Sequence, residues 1–244
     1  SKILENDKEY QGLTKAISAY GNPVGAIGLP EINKVLTVHC VCESLNKKAF
    51  IITPDEASAI KAYEDLSAIT DGVLLYPKRE FTFLDVEGIS REFEHIRLGV
   101  LSKIIKGNYK IVVASVQAAC QLTMPPDALT QCSFSICEGD ELDIDETVER
   151  LIKAGYTRFD QVDGTSQFSI RGGLVDIFPP GADDPVRIEL WGDTVDSIAK
   201  FDISTQRRND IVDRIDIIPA TEVLFPSKEI QAKKIDELAS TLKG

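Results

Sequence analysis

Tryptophan and methionine each occur once in this chain of 244 residues, histidine twice, and the five cysteines form no CxxC pair. An odd number of thiols without paired spacing fits reduced cysteines better than a disulfide framework or a cysteine zinc site, so free thiols and no bound metal are expected. His39 and His95 lie far apart, each in a helical pattern without a catalytic partner in sequence reach, and no catalytic residue is expected from them. Long apolar runs are missing, and the opening "SKILENDKEYQ" has neither the basic start nor the apolar centre of a signal peptide. The expectation is a cytoplasmic protein that makes no membrane contact. Basic charge is also short: 27 Lys and Arg face 39 Asp and Glu, a formal charge of -12. Residues 1–123 carry 14 basic and 15 acidic side chains, and residues 124–244 carry 13 and 24. The second half is thus a poor surface for a nucleic-acid backbone, and a background against which a few arginines stand out. The chain opens at Ser1 and stops inside the helical pattern "IDELASTLKG", which reads as a piece of something longer.

What is present is a change of pattern near residue 124. Before it, strand and helix signals alternate as in a parallel sheet covered by helices. Strands are predicted at "VGAIG" (24–28), "KAFIIT" (48–53), "GVLLY" (72–76) and "KIVVAS" (110–115), with an opening helix over 5–19 and three further helices between the strands. The paired prolines of "QLTMPPDALTQCS" mark a junction. Beyond it come one helix, "IDETVERLIKAG", and a succession of β segments that predict a smaller α+β domain with an antiparallel sheet. The fold class is therefore α/β, a parallel-sheet domain with a second α+β domain inserted. The boundaries are 1–123, 124–209, and a segment 210–244, including the strand "RIDIIPA", that returns toward the first domain.

In a parallel α/β domain, the turn after the first strand is where a nucleotide phosphate rests on helix N-terminal N–H groups. Here it reads "GLPEINKV", residues 28–35. Against the phosphate-loop pattern GxxxxGK[ST], Gly28 and Lys34 match, Asn33 replaces the second glycine and Val35 the hydroxyl residue. Valine cannot hold magnesium, Glu31 adds a carboxylate where an anion would sit, and "KIVVAS" ends without an acidic pair. The loop is read as degenerate, without hydrolysis or a nucleotide cofactor. Two matches in eight also fit an ordinary turn.

The single Trp stands in "PVRIELWGDTVDSI", residues 185–198. Alternation puts Val186, Ile188 and Leu190 on one face of a strand and Arg187, Glu189 and Trp191 on the other, the face expected to meet water. The same rule in "FSIRGG" turns Phe168 and Ile170 inward and Ser169 and Arg171 outward. An indole with arginines on an open sheet face is the composition of an interaction hot spot. Two bland alternatives stay open: a strand-end Trp packed under a loop, and an Arg187 that only pairs with Glu189 or a neighbouring carboxylate.

"FSIRGGLVDIFPPGADDPVRIELWGDTVDSIAKFDISTQR", residues 168–207, closely resembles a module shared by the excision-repair helicase UvrB and the bacterial transcription-repair coupling factors (Mfd). The likeness runs in register through RGG, DIFP, RIE, an aromatic, GD, VDSI, FD and QR. With "ITPDEASA", "YPKRE" and "GNYKIVVASVQAACQ" upstream, it spans about residues 10–225. Two departures favour the coupling-factor family over UvrB: the degenerate "GLPEINKV", and a loop "PKREFTFLDVEG" too short for the damage-probing aromatic hairpin of UvrB, which leaves Phe81 and Phe83 as packing residues. The resemblance implies a P-loop-like first domain that has lost its chemistry. It also implies an inserted domain that docks UvrA, through positions matching Arg171, Arg187 and Trp191, with Arg158 a weaker match and Ser169 standing where UvrB has an arginine. The parent would be an ATP- and magnesium-dependent DNA translocase. Beyond this stretch it would engage DNA and RNA polymerase, and its C-terminal part would cover the docking surface intramolecularly. The alternative function is a nucleic-acid-binding repair module, against which the acidic second half argues.

Overall fold

The computed structural model describes residues 7–19, 23–79 and 91–222, with 232, 235–236 and 239–240 near the end of the chain. Phe81, Phe83 and most of the final helical pattern lie outside the described residues. The chain divides into two compact units, Ser1–Leu122 and Thr123–Gly244.

In the first unit, α1 (Lys8–Ser18) is capped by Asp7, whose carboxylate accepts from the N–H groups of Glu9 and Tyr10. The next helix, α2 (Glu31–Leu45), ends at Asn46 in the left-handed conformation, with the Lys47 N–H returning to the Cys42 carbonyl at 3.0 Å. Then β1 (Ala49–Thr53), α3 (Glu56–Ser67), β2 (Val73–Tyr76), α4 (Glu92–Ile105), β3 (Ile111–Ser115) and the short α5 (Val116–Ala119) follow in order. The strands pair in parallel in the order β1-β3-β2. Central β3, the apolar run "IVVAS", is buried along its whole length, as a strand covered on both faces must be. One face packs Ile111 and Val113 against Val35, Cys42, Ala59 and Leu66; the other packs Val112 and Ala114 against Leu74, Tyr76 and Val100.

The strand predicted at 24–28 does not form. Its residues are exposed, Ile27 by 98%. Two glycines in five residues weaken the segment as a strand, and among the described residues no strand pairs with it, so its apolar side chains gain no burial from a sheet. The parallel layer is therefore one of three strands among the described residues, and residues 28–35 do not follow a sheet strand.

In the second unit, α6 (Pro126–Gln131) and β4 (Phe134–Cys137) lead into α7 (Ile144–Lys153), capped by Asp143. There follow β5 (Thr157–Arg158), β6 (Gln167–Arg171), β7 (Leu174–Ile177), β8 (Val186–Trp191), β9 (Thr194–Phe201), β10 (Arg208–Val212) and β11 (Arg214–Ile217). Six of these form a sheet in the order β10-β9-β8-β7-β6-β5, antiparallel except for the β5–β6 pair. Its inner face supplies Phe168, Val175, Ile177, Ile188 and Ile198 to a core closed by Leu151 of α7 and by Ile136, Ile215 and Ile217. Tyr156 lies in that core, its hydroxyl donating to the Ile218 carbonyl at 2.8 Å, and burial pushes its pKa far up. The strand read as returning toward the first domain, β11, instead pairs antiparallel with β4 of this second unit. Ile215 and Ile217 alternate into its core, and burying them there outweighs any pattern visible along the chain.

Candidate partner-docking surface

The "RGG" stretch is a two-residue hairpin turn. Arg171 pairs with Leu174 across it, and Gly172 takes φ +60, a conformation that costs an L side chain strain. Gly173 is needed for space, because a β-carbon there would lie 3.1 Å from the Leu190 carbonyl oxygen. The Leu190 N–H donates to the Gly173 carbonyl at 2.8 Å, which holds this turn beside the end of β8. That end makes a second two-residue turn through Gly192 (φ +65) and Asp193, with Trp191 opposite Thr194. A bulge at Asp196 accompanies it, and the Asp193 carbonyl accepts from the Leu142 N–H at 2.7 Å. Two turns thus converge at one end of the sheet, and the side chains they set outward are Arg171 and Trp191.

Trp191 is 83% exposed, so the packed-under-a-loop alternative does not hold. Arg171 has 45% of its side chain open to solvent, and its Nη2 donates to Asp176 Oδ2 at 2.8 Å. Arg158 is exposed on the short edge strand β5. Arg187 differs: only 12% of its side chain is exposed. Its Nε and Nη2 grip Asp176 at 2.7 and 2.8 Å, Nη1 donates to the Gln206 carbonyl at 3.2 Å, and the guanidinium lies 4.6 Å from the centre of the Phe201 ring. The Asp176 hydrogen bond raises the Arg187 pKa above its ordinary value.

The outer face is therefore wet at one end only. Toward the other end Val162, Phe178 and Phe201 form a small core of their own, and Ser169, expected to point into solvent, is buried with its hydroxyl donating to the Asp160 carbonyl at 2.8 Å. Loop residues fold over that part of the sheet, which strand alternation cannot report. The residue that organises the face, Asp176, is 1% exposed and went unnoticed in the sequence. Part of its signal was there: the two-residue turn at Gly172 and Gly173 sets Asp176 opposite Ser169, while its place opposite Arg187 is set by the separate pairing of β7 with β8. A second ion pair on the same face, Arg208 with Glu189 at 2.8 Å, was missed for want of register in β10.

Residues 28–35 make no comparable assembly. Gly28 has φ +83 in an exposed bend, Asn33 is exposed, and Lys34 Nζ is 2.5 Å from Glu31 Oε1 on the first turn of α2. Val35 is buried against Leu66 and Ile111. Among the described residues no group of three His, Cys, Asp or Glu side chains is arranged to hold a metal, and no helix is long and apolar enough to cross a membrane.

Residues 134–223, the part that builds this surface, match the family described as the UvrB interaction domain. Along most of its length the chain is similar to proteins named transcription-repair-coupling factor. It is 34% identical to that of Bacillus subtilis over 221 residues, 88% of this chain and 19% of the relative. The Haemophilus influenzae protein is 31% identical over 195 residues, 80% and 17% of the two chains, and that of Staphylococcus aureus 26% over 234 residues, 95% and 20%. The chain thus spans about a fifth of the length of these relatives.

Proposed function

Because residues 134–223 belong to the UvrB interaction domain family, in a chain homologous to one part of the transcription-repair-coupling factors, we propose that this domain docks the damage-recognition ATPase UvrA as UvrB does. The observation that carries the reading is Trp191, a large aromatic 83% exposed at the tip of a rigid hairpin, with Arg171 set outward from the neighbouring turn. An indole loses little entropy on binding, and a guanidinium supplies directional donors, so the pair forms a compact anchor. Arg171 and Arg187 share the single carboxylate of Asp176, which leaves one positive charge at the Arg171 turn.

In the whole protein, this docking brings excision repair to a stalled RNA polymerase that an ATP- and magnesium-driven DNA translocase displaces, and the C-terminal part covers the surface until then. The present stretch contributes recognition and no nucleotide chemistry: Val35 serves the core, and Lys34 is engaged by Glu31. The test is calorimetric titration of the purified chain with UvrA, with Trp191→Ala and Arg171→Ala beside it and duplex DNA as a control ligand. UvrA binding that both substitutions weaken supports the reading. Binding that neither affects, or a chain that takes up DNA in preference to UvrA, sinks it.

A further inference from the structure

Two guanidiniums meet at the Asp176 carboxylate. Its Oδ2 accepts from both Arg171 Nη2 and Arg187 Nη2 at 2.8 Å, while Oδ1 accepts from Arg187 Nε at 2.7 Å. Arg187 is engaged through four hydrogen bonds, forked onto the carboxylate and tied to Gln206, with its guanidinium over the Phe201 ring. Arg171 is held at one nitrogen only, and the rest of its guanidinium faces solvent. One carboxylate between two guanidiniums leaves one positive charge uncompensated, while the nearby Arg208 and Glu189 cancel. The immobile partner, Arg187, fixes the carboxylate; the carboxylate in turn fixes Arg171, whose long side chain would otherwise sample many rotamers.

We propose that Asp176 is a positioning residue: backed by Arg187, it holds Arg171 so that the open edge of the guanidinium receives a carboxylate of the docking partner, beside an apolar recess that takes Trp191. The inference rests on the docking reading above and deepens it, naming the matching chemistry as one acidic side chain next to an apolar slot. The strength of the contact comes from pre-ordering: a guanidinium already oriented loses less freedom on binding than a free one. Asp176 touches no partner atom and acts through Arg171.

The experiment is a double-mutant cycle measured by titration with UvrA, with each variant's fold checked by circular dichroism and melting. Asp176→Asn in the parent chain is expected to weaken binding about tenfold, the loss of one charge-assisted contact. In an Arg171→Ala background the same change is expected to do almost nothing, because the residue it acts through is gone. Arg171→Glu is expected to bind more weakly than Arg171→Ala, since a second carboxylate would repel the partner's. Relaxation of the Arg171 Nε–H group by NMR should show an ordered guanidinium in the parent chain and a mobile one in Asp176→Asn. Should Asp176→Asn not fold, Asp176→Glu keeps the charge, displaces it by one methylene and puts the same question. Equal losses from the Asp176 change in both backgrounds, or an Arg171 as mobile with Asp176 as without it, overturns the positioning role and leaves docking standing. Arg171→Glu no worse than Arg171→Ala overturns the acidic partner group. A parent chain that does not bind UvrA at all overturns both readings.

Discussion

In the first unit an arginine is used up by the fold. Arg97 is fully buried on α4, donates through Nη1 to the Pro77 carbonyl at 2.8 Å and lies 4.1 Å from the centre of the Tyr76 ring. On the outer face of the second unit's sheet, arginines are graded from the same kind of burial toward solvent. Arg187 on Phe201 copies the Arg97 arrangement, Arg171 is half released, and Trp191 stands open one turn away. The same residue types thus serve structure in one sheet and presentation in the other. What separates them is how far the surrounding fold buries each side chain. At the C-terminal ends of the parallel strands, where α/β folds bind ligands, even the polar groups turn inward: Glu56 accepts from the Ser115 hydroxyl and from the Lys78 N–H.

The largest effect that tests this contrast is at its structural extreme. Arg97→Ala is expected to cost about 3–5 kcal/mol of folding stability, since it empties a close-packed site and strands the Pro77 carbonyl. Urea denaturation measures it, and a loss below about 1 kcal/mol would mean that Arg97 is not the structural member of the pair.

Next comes Arg187→Ala, which leaves the buried Asp176 carboxylate with Arg171 alone. Removing one partner of a buried ion pair is destabilising by about 3–5 kcal/mol at full burial, and about 2–4 is expected here because a small part of Arg187 reaches water. Arg187→Lys should recover little of this, lacking the fork that matches both carboxylate oxygens. A chain that melts normally without Arg187 would move this residue from support to recognition and blur the gradient.

Trp191→Ala sharpens the other end. Its folding stability should change by no more than about 0.5 kcal/mol, as for a surface position, while UvrA affinity falls by about 1–3 kcal/mol, as at an interface hot spot. Melting and titration on one preparation read both, and a large melting loss with intact binding would reverse the assignment.

How far the sequence carried this contrast depended on whether the deciding forces were local. Alternation read β8 correctly because Val186 and Ile188 meet the core through their own strand. The helices α2, α3 and α4 and the strands at 48–53, 72–76 and 110–115 emerged from period and caps for the same reason. Failures fell where non-local burial decides. "VGAIG" is apolar yet pairs with no strand among the described residues, "RIDIIPA" pairs with β4 across some eighty residues of chain, and Ser169 is covered by a loop that its own strand cannot announce. Arg187 could be placed on the outer face but not weighed, because its burial comes from Gln206 and Phe201, which lie well beyond its own strand in the chain.

The smallest effect is expected at residue 34, where a lysine in a phosphate loop would matter most. Lys34 and Glu31 are both exposed, one turn apart on α2, and the hydrogen bond from Lys34 holds the Glu31 carboxyl below its ordinary pKa. A folded-state pKa below the unfolded one means that whatever the pair contributes is present at neutral pH and lost as pH falls through the lowered value. Exposed pairs of this kind contribute little, so Lys34→Ala should shift the melting midpoint at neutral pH by no more than about 1 °C, and by still less in acid. Neither protein should turn over ATP with magnesium, because Val35 is committed to the core and offers no oxygen to a metal. Glu31 also keeps a negative charge at the helix N-terminus, where a phosphate would have to sit. Magnesium-dependent turnover that follows the purified chain and disappears in Lys34→Ala would give the first unit a ligand-facing cation of its own, and the division between a unit that consumes its charges and a unit that presents them would fail.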